Sequence, residues 1–385
     1  MIVTIVADVF GVPNNGTTIA AMNLINTLTA HGNTVRIVCP DADKKDKKGY
    51  YVVPTLNVGP FQSIVNNNGV VLSNPDFMTI ARALKGSDEV HIMMPFMVGR
   101  SAAKLANRMG IPVSAGFHVQ AENVTAHFFN FIKNQKINHM VYMNFWNHFY
   151  KYVDVIHYPT EFIRDTFEKN IHQKTPGVVI SNGVSGDFHH IEIEREESLK
   201  GKFVILCTGR YSKEKRQALL LKAVALSKYK DKIQIVLAGE GPRLKELQKL
   251  SKKLGVEPQY RFFKRPEMVK MINMCDLYVH TSEIEIEAIS CLEALSCGLV
   301  PVINDSPKSA TKYFALEENN LFKLNDFHDL AKKIDYWVEH PEEKKECSKK
   351  YEAFCGQFNF DLCMEKMEKL IEDTAKIKKE PQRKE

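Results

Sequence analysis

Apolar runs alternate with helical repeats along the first 160 residues of the chain. The run Val3 to Ala7 predicts a buried strand, and Thr18 to Ala30 follows with apolar residues at helical spacing. A helix is also predicted at Ala102 to Met109, and further strands at Val35 to Cys39, Glu89 to Phe96, Pro112 to Phe117 and Val153 to Tyr158. This alternation predicts a parallel sheet covered by helices on both faces.

The same alternation starts again at Phe203. Strands are predicted at Phe203 to Thr208, Ile233 to Ala238, Leu277 to Thr281 and Leu299 to Asn304, and helices at Gln217 to Leu226, Leu244 to Leu254 and Glu287 to Cys297. The stretch Gln173 to Lys202, with its turn residues and charged run, predicts an exposed linker between the two series.

The chain is therefore predicted to be an α/β protein with two doubly wound, Rossmann-like domains that face each other across a cleft. Ligands of such folds bind at the carboxyl ends of the strands. We place an N-terminal domain at residues 1–178, rejoined by a C-terminal helix at 359–375, and a C-terminal domain at 179–358. The charged tail 376–385 is expected to be disordered.

Composition narrows the class of protein. Of 385 residues, 44% are hydrophobic and 25% are charged, which is typical of soluble globular proteins and excludes disordered and fibrous classes. No apolar run is long enough to predict a transmembrane helix, and the N-terminus lacks the basic region of a signal peptide. Eight cysteines without a Cys-x-x-Cys pair predict reduced thiols in a cytoplasm, and neither a disulfide framework nor a zinc site.

Charge is unevenly distributed between the two halves. Residues 1–180 carry 16 Lys and Arg against 12 Asp and Glu, whereas residues 181–385 carry 36 against 34. The net charge of +6 is mild for this length, so it does not predict binding to nucleic acid. The difference in charge density predicts two units with different surroundings.

The most informative stretch is Thr281 to Ile303, where a strand, a short loop and a helix follow one another. The start of a helix offers unpaired N–H groups and a positive dipole end, which suit a phosphate. Glu285 precedes the predicted helix, and Glu293 lies eight residues on, at most ~12 Å away along a helix. That distance suits hydroxyl groups on either side of a diphosphate, although two surface glutamates would show the same spacing.

The surrounding residues resemble a known family. Glu-x7-Glu followed by Ala-Leu-Ser-Cys-Gly-Leu-Val-Pro-Val-Ile resembles the signature of family-4 retaining glycosyltransferases of the GT-B fold. The Gly-Arg-…-Glu-Lys turn at 209–215, the Gly-x-Gly-Pro segment at 239–242 and Asn-Gly-Val at 182–184 resemble further family segments. The match covers most of residues 180–310. Together with the turn near Gly16, it implies that the resemblance extends over the whole chain. The stretch Asn304 to Leu316 also resembles diacylglycerol glucosyltransferase-like glycolipid synthases.

The resemblance implies how a donor would be held by charged side chains. Arg210 and Lys215 would bind the diphosphate of a UDP-sugar, and two cations suit a departing diphosphate where no metal is present. Glu293 would bind the ribose hydroxyls and Glu285 the donor sugar. Each of these residues could instead be a surface ion-pair partner. No metal and no cofactor other than the donor substrate is expected.

Other implied contacts involve the backbone and one ring. Amides near Ala288 and Ile289 would meet the phosphates, Gly16 would let its turn approach the donor, and Phe263 would lie against the base. The family usually has Gly at the position of Ala288. Because Glu287 and Ala288 occupy this place here, Glu287 is expected to contact the donor sugar.

A histidine follows one of the N-terminal strands. His118 comes directly after the strand Pro112 to Phe117, at a carboxyl end that would face the cleft. It resembles the active-site histidine of several lipid-glycosylating members, where that residue contacts the donor sugar. With 13 histidines in the chain, a purely structural role is the alternative.

One motif is set aside. Asp41-Ala-Asp43 looks like the metal motif of a different glycosyltransferase fold, but a lysine-rich run follows it and predicts a solvated loop. Clusters of His or Cys at metal-ligand spacing are absent from the sequence.

Aromatic residues are concentrated between Phe128 and Phe167, where 12 of 40 residues are aromatic. Basic residues lie among them, including Lys133, Lys136 and Lys151. One interpretation is a core helix with many rings. The other is an interfacial segment whose rings lie at a bilayer boundary and whose cations contact anionic headgroups.

Together these features predict a retaining, metal-independent hexosyltransferase. It would move glucose or galactose from a UDP-sugar to a lipid such as diacylglycerol or ceramide, giving an α-glycolipid at the inner face of the cell membrane. Alternatives are a transferase of capsular polysaccharide or lipopolysaccharide synthesis, a sugar-nucleotide 2-epimerase, and a non-catalytic sugar-nucleotide-binding protein.

Overall fold

The computed structural model describes residues 1–8, 16–56, 59, 73–128 and 135–381. The chain forms two compact units. The first combines Met1–Asn182 with Cys363–Glu385, and the second is Gly183–Leu362. The sequence analysis placed the first border four residues earlier, after residue 178, and began the returning helix at 359.

A sheet of parallel strands forms the centre of the first unit. Seven strands of the described chain pair in the order β3-β2-β1-β4-β5-β6-β7. Their interior positions are mostly buried apolar side chains, as expected for a sheet covered on both faces. The strands are β1 (Ile2–Val6), β2 (Thr34–Cys39), β3 (Tyr50–Val52), β4 (Glu89–Ile92), β5 (Val113–Gly116), β6 (Val155–Tyr158) and β7 (Gly177–Val179).

Helices connect these strands, and a helix from the end of the chain returns to the same unit. The helices are α1 (Gly16–Ala30), α2 (Phe77–Leu84), α3 (Met97–Met109), α4 (Ala121–Phe128), α5 (Gln135–His148), α6 (Glu161–Ile171) and the C-terminal α13 (Phe360–Ala375). Local chemistry fixes several ends. Gly110 ends α3 in the left-handed conformation, and the Thr160 hydroxyl accepts a hydrogen bond from the Ile163 amide at the start of α6.

The second unit repeats this plan. Its strands pair in parallel in the order β10-β9-β8-β11-β12-β13. The elements are β8 (Phe203–Thr208), α7 (Ala218–Leu226), β9 (Ile233–Ala238), α8 (Leu244–Leu254), β10 (Gln259–Arg261), α9 (Arg265–Met274), β11 (Leu277–His280), α10 (Ile289–Ser296), β12 (Pro301–Asn304), β13 (Leu321–Phe322), α11 (Phe327–Glu339) and α12 (Pro341–Cys355). The prediction of two doubly wound parallel units is confirmed.

The predicted linker is wrong in part. Gly177–Val179 is not exposed linker but the edge strand β7, because its backbone pairs with β6 and completes the first sheet. Further along, Val184 and Phe188 are buried in the core of the second unit. The stretch therefore contributes to both units.

The aromatic residues described between Phe128 and Phe167 belong mainly to the core of the first unit. The rings of Tyr142, Phe145, Phe149, Tyr150 and Phe167 are buried. The interfacial interpretation is wrong for these buried rings. Tyr142, Tyr150 and Phe167 pack on Phe117, with the Tyr150 and Phe117 centroids 5.0 Å apart, and Phe149 packs on Tyr150.

Part of that segment lies outside the description. Phe129, Phe131 and Lys133 are outside the described residues, whereas Lys136 and Lys151 are described and exposed. In the described chain, no helix combines the length and the apolar character needed to cross a membrane. All eight cysteines are free and buried.

The charged tail is ordered further than expected. Lys379 is mostly buried, and its ammonium donates to both carboxylate oxygens of Asp154 at 2.9 and 2.6 Å. The expectation of disorder is therefore wrong at this residue, because a buried ion pair fixes it to the first unit. The last four residues, 382–385, lie outside the described chain.

Candidate functional site

Three loops meet at the carboxyl edge of the second sheet, where β8, β11 and β12 are neighbours. Hydrogen bonds join these loops. The Thr281 hydroxyl donates to the carbonyl oxygen of Lys215 at 2.6 Å. The Glu283 amide donates to the carbonyl oxygen of Glu214 at 2.8 Å. The Ser306 hydroxyl donates to the Glu283 carbonyl at 2.6 Å. These bonds fix the loop after β8 against the loop after β11, and so position the side chains that both carry.

We call the loops after β8, β11 and β12 the platform. The Gly-x-Gly-Pro segment at 239–242 packs against the first of these loops. A Cβ at Gly239 would lie 2.2 Å from the carbonyl oxygen of Gly209, and a Cβ at Gly241 would lie 2.7 Å from the backbone nitrogen of Tyr211. Neither distance leaves room for a side chain. The two glycines therefore allow the loop after β9 to approach the loop that carries Arg210 and Lys215.

Lys215 and Glu285, 70 residues apart in sequence, form an ion pair at the centre of the platform. Their side chains are only 21% and 12% exposed. Burial alone would raise the pKa of Glu285, but the charge of Lys215 and a contact with His280 lower it to about 2. Burial would likewise lower the pKa of Lys215, and Glu285 raises it above its usual range. Both groups are therefore charged at neutral pH.

His280, the last residue of β11, approaches the same carboxylate. Its Nε2 lies 3.4 Å from Oε1 of Glu285, and its Nδ1 lies 3.2 Å from the hydroxyl of Tyr278. Burial lowers the pKa of this imidazole by more than Glu285 raises it, so the ring is neutral at neutral pH. The sequence analysis missed this residue, although the argument applied to His118, a histidine at the carboxyl end of a strand, applies to it equally.

The backbone turns sharply before α10. Ala288 has a φ of 50°, in the left-handed region that favours glycine, at the position where family-4 members usually have Gly. Because Ala288 is in the left-handed conformation here, α10 begins at Ile289 and not at Glu287 as predicted. Glu287 lies ahead of the turn and is buried. The methyl side chain of Ala288 offers no oxygen to cap the first N–H groups of the helix.

Glu293 lies in the second turn of α10 and is half-buried. Burial raises the pKa of its carboxyl to about 7, and the charge of Arg265 offsets only part of that rise. The carboxyl therefore changes charge near neutral pH in the free protein, and a ligand that needs the carboxylate would bind it better above that pH.

Two other predicted donor contacts follow strands of the same sheet. Arg210 is in the same loop as Lys215, and its side chain is exposed. Phe263 follows β10, and its ring is only 9% exposed, with the guanidinium of Arg261 4.7 Å from its centroid. Phe263 is thus a core residue covered on one face, and its contact with a base stays a prediction.

Two predicted residues belong to the first unit. Gly16 is the first residue of α1, and the turn before it lies outside the described residues. His118 follows β5, and its imidazole lies over Gly116, where a Cβ would be 2.3 Å from Nε2. Burial, together with His157 and His91, lowers the pKa of His118 well below its usual range. The imidazole is therefore neutral and held against a residue that must lack a side chain.

No group of three or more His, Cys, Asp or Glu side chains in the described chain is arranged to hold a metal ion. In the Asp41-Ala-Asp43 motif, the Asp43 carboxylate pairs with Lys44 at 2.8 Å. It has the local charge partner expected of a solvated loop.

Comparison with known families agrees with these motifs. Residues 14–188 match the model of glycosyltransferase family 4, and residues 190–353 match that of glycosyl transferases group 1. The two matches span most of the chain and follow its division into two units. The chain belongs to the family-4 glycosyltransferases of the GT-B fold.

Individual relatives are more distant. The chain is 25% identical over 237 residues to the alpha-monoglucosyldiacylglycerol synthase of Streptococcus pneumoniae, covering 57% of this chain and 52% of that protein. The match thus spans about half the length of that curated relative. The solved catalytic domain of cholesterol-alpha-glucosyltransferase from Helicobacter pylori is 46% identical over 41% of this chain and 99% of its own, with a TM-score of 0.40. Anabaena Alr3699/HepE in complex with UDP is 16% identical, covers 97% of this chain and 100% of its own, and has a TM-score of 0.72.

Proposed function

We propose that the protein is a retaining glycosyltransferase that moves a hexose, glucose or galactose, from a UDP-sugar to a membrane lipid such as diacylglycerol or ceramide. The observation that carries the proposal is the platform at the carboxyl edge of the second sheet. There Lys215 and Glu285 form a largely buried ion pair, and Glu285 is followed within four residues by a left-handed turn and a helix start without a side-chain cap. This arrangement supplies a cation, a carboxylate and backbone N–H groups for one sugar nucleotide.

The donor diphosphate would be bound by Arg210 and Lys215, with amides near Ala288 and Ile289 meeting its oxygens. Two cations and a helix start can neutralise a departing diphosphate, so the proposal requires no metal ion. Glu293 would accept hydrogen bonds from the ribose hydroxyls.

The remaining donor contacts concern the sugar and the base. Glu285 and the buried Glu287 would bind the hydroxyls of the donor sugar, and the neutral His118 would contact the same sugar. Gly16 and Phe263 would approach the donor as the resemblance implies. Since Glu287 stands where the family usually has Phe or a small residue, it is the side chain most suited to distinguish one hexose from another.

The proposed transfer retains the configuration at the anomeric carbon, as the family resemblance implies. The bond between the anomeric carbon and the phosphate oxygen breaks, and a bond to the acceptor oxygen forms on the same face of the sugar. The proton of the acceptor hydroxyl passes to the departing phosphate oxygen. The protein contributes positioning and charge stabilisation, which can supply most of the rate enhancement of such a reaction.

A lipid acceptor is supported by the pneumococcal relative, whose name gives diacylglycerol as the lipid of its product. A second support is apolar surface on the first unit, the unit to which the family resemblance assigns the acceptor. Phe77, Met78 and Met97 are 56%, 72% and 46% exposed at the amino ends of α2 and α3. Because α3 directly follows β4, its amino end lies at the carboxyl edge of the sheet, where ligands of such sheets bind.

Peripheral association with an anionic, cytoplasmic membrane surface is part of the same proposal. The exposed Lys136 and Lys151 would add ~1 kcal/mol each near such a surface. The buried rings between these two lysines contribute nothing to membrane association.

The second candidate is a transferase of capsular polysaccharide or lipopolysaccharide synthesis. The burial of Tyr142, Phe145, Phe149 and Tyr150 favours it, because these rings no longer argue for contact with a bilayer. A requirement for lipid in the assay separates the two. Turnover of the sugar nucleotide alone would indicate a 2-epimerase, and binding without turnover a non-catalytic protein.

The test of this function is a donor panel with a mixed lipid extract. UDP-glucose, UDP-galactose, UDP-N-acetylglucosamine and GDP-mannose are incubated with and without lipid, and products are identified by mass spectrometry. We expect one UDP-hexose to yield a lipid heavier by one hexose, with no product when lipid is omitted. Transfer only to a soluble glycan, or only from GDP-mannose, would contradict the proposal.

Replacing Gly116 tests the role of His118 without changing the histidine. A Cβ at Gly116 would displace the imidazole, so Gly116→Ala should lower turnover about tenfold or more, as a misplaced catalytic group does. His118→Ala should have a similar effect. Turnover and thermal unfolding are measured beside Gly186→Ala, since a Cβ at this exposed glycine meets nothing within 4 Å. Unchanged turnover in both Gly116→Ala and His118→Ala would show that His118 is purely structural.

A further inference from the structure

A chain of buried polar side chains runs beneath the carboxylate of Glu285. The hydroxyl of Thr208, at the end of β8, lies 2.7 Å from that of Tyr278 in β11. The Tyr278 hydroxyl lies 3.2 Å from Nδ1 of His280, and Nε2 of the same ring lies 3.4 Å from Oε1 of Glu285. Thr208, Tyr278 and His280 are at most 7% exposed. Their contacts are therefore protein contacts made in the interior of the second unit.

The geometry selects one tautomer of His280. A neutral imidazole has one N–H donor and one lone pair. A lone pair on Nε2 would point at the negative charge of Glu285, so the proton belongs on Nε2. Nδ1 is then the acceptor, which requires the Tyr278 hydroxyl to donate to it and the Thr208 hydroxyl to donate to Tyr278. Every hydroxyl in the chain then donates toward Glu285.

The contact from Nε2 is not yet a full hydrogen bond. At 3.4 Å it is longer than an ordinary N–H···O bond, and within the described chain Nε2 has no other hydrogen-bond partner. A buried donor without a good acceptor is costly, and such a group in a native structure calls for an explanation. Here the same oxygen also accepts from the ammonium of Lys215, which is the nearer of the two donors.

Donor binding would change this competition. Under the proposed function, Lys215 binds the diphosphate, and to do so it must weaken its bond to Glu285. The carboxylate would then be buried without its cation, which is strongly unfavourable unless another donor replaces it. The Nε2–H of His280 is the donor already directed at the same oxygen.

We infer that His280 is a positioning residue, aligned by Tyr278 and Thr208, that holds the Glu285 carboxylate when the donor diphosphate draws Lys215 away. The inference rests on the proposed function and adds a residue that the family motif does not contain. His280 does not touch the donor. It keeps Glu285 charged and oriented toward the sugar while Lys215 serves the phosphate.

A double-mutant cycle tests the coupling between His280 and Glu285. His280→Leu should lower turnover about tenfold or more, while the affinity for UDP, measured by calorimetry, changes less than threefold. His280→Gln should recover much of the turnover, because its side-chain amide carries an N–H in place of Nε2–H. In a Glu285→Gln background, His280→Leu should have little further effect, since the group it orients is gone.

Tyr278→Phe tests the alignment of the ring. It should give a smaller loss of turnover than His280→Leu. Tyr351→Phe is the matched control, because this tyrosine is equally buried in the same unit. Its hydroxyl accepts from the Leu316 amide and takes no part in the hydrogen bonds from Thr208 to His280. Tyr351→Phe should keep wild-type turnover at a similar melting temperature.

The outcomes separate this inference from the proposed function. Wild-type turnover in His280→Leu, or an equal loss in both Glu285 backgrounds, would overturn the inference and leave the donor site standing. If no sugar nucleotide is turned over, the proposed function fails, and the inference about His280 is then tested by its NMR spectrum alone. Nitrogen NMR, with the His280 signal identified by its loss in His280→Gln, should show the Nε2–H tautomer with and without UDP. An Nδ1–H tautomer or an imidazolium would overturn the inference.

Discussion

Lys215→Ala should reduce turnover by ~10²-fold or more, the scale of losing one preorganised charge contact to a departing group. Lys215 is the buried cation of the platform, and a diphosphate leaving the sugar gains negative charge as the bond breaks. Steady-state turnover with the preferred UDP-sugar measures the effect. Arg210→Ala should show a loss of the same order, because the second cation shares the same charge.

The two variants have different side effects, and controls separate them. Lys215→Ala leaves Glu285 buried without its cation, so part of its loss could reflect instability, which thermal unfolding would reveal. Arg210 is exposed, so Arg210→Ala should change the melting temperature less than Lys215→Ala does. Lys213→Ala, which removes an exposed lysine from the same loop, should keep near-normal turnover, and a chelator should have little effect. Near-normal turnover in both Arg210→Ala and Lys215→Ala, or full loss with chelator, would contradict the metal-free diphosphate site.

Glu285 and Glu293 should give opposite phenotypes. Glu293→Ala should weaken the binding of UDP about tenfold, because ribose contacts are present with or without the sugar. Glu285→Ala should leave UDP binding nearly intact, since it also frees Lys215 for the phosphates, but it should strongly impair transfer. Calorimetry with UDP and a turnover assay on both variants decide, and exchanged phenotypes would show that the two roles are assigned the wrong way round.

The pH dependence gives a second readout on Glu293. Its pKa is raised to about 7 in the free protein, so the carboxylate is lost as the pH falls through neutrality. If UDP requires the carboxylate, its affinity should fall with pH more steeply in the wild type than in Glu293→Gln. The phosphates of UDP titrate identically in both proteins, so the difference between the two curves reports Glu293.

Long elements with strong apolar periodicity could be predicted closely from the sequence. The strand Ile233–Ala238 and the helix Leu244–Leu254 have the predicted bounds. Short strands such as Tyr50–Val52 and Gly177–Val179 were missed, because three residues carry too little pattern. Their stability comes from pairing with a neighbouring strand, which local sequence does not reveal.

The aromatic segment shows a different limit. Tyr142 and Phe149 would bury apolar area equally well in a core or at a bilayer boundary, so composition alone could not decide between the two. The structure decides for these rings because Phe117 and Phe167, distant in sequence, enclose the same cluster.

The residues of the candidate site could be predicted from the sequence, but the contacts between them could not. The motifs indicated Lys215 and Glu285, yet no pattern reveals that these residues form an ion pair across 70 positions. Nor does the sequence show that Ala288 adopts a left-handed conformation, which moves the helix start to Ile289. Both features arise from the packing of loops that follow neighbouring strands.

The configuration of the product tests the central claim, retaining transfer of a hexose to a lipid, most directly. The glycolipid formed from the preferred UDP-hexose is purified, and its anomeric proton is examined by NMR. The account predicts a single hexose joined to the lipid in the α configuration, the same as in the donor. A β-linked product, or release of free sugar with no glycolipid, would contradict it.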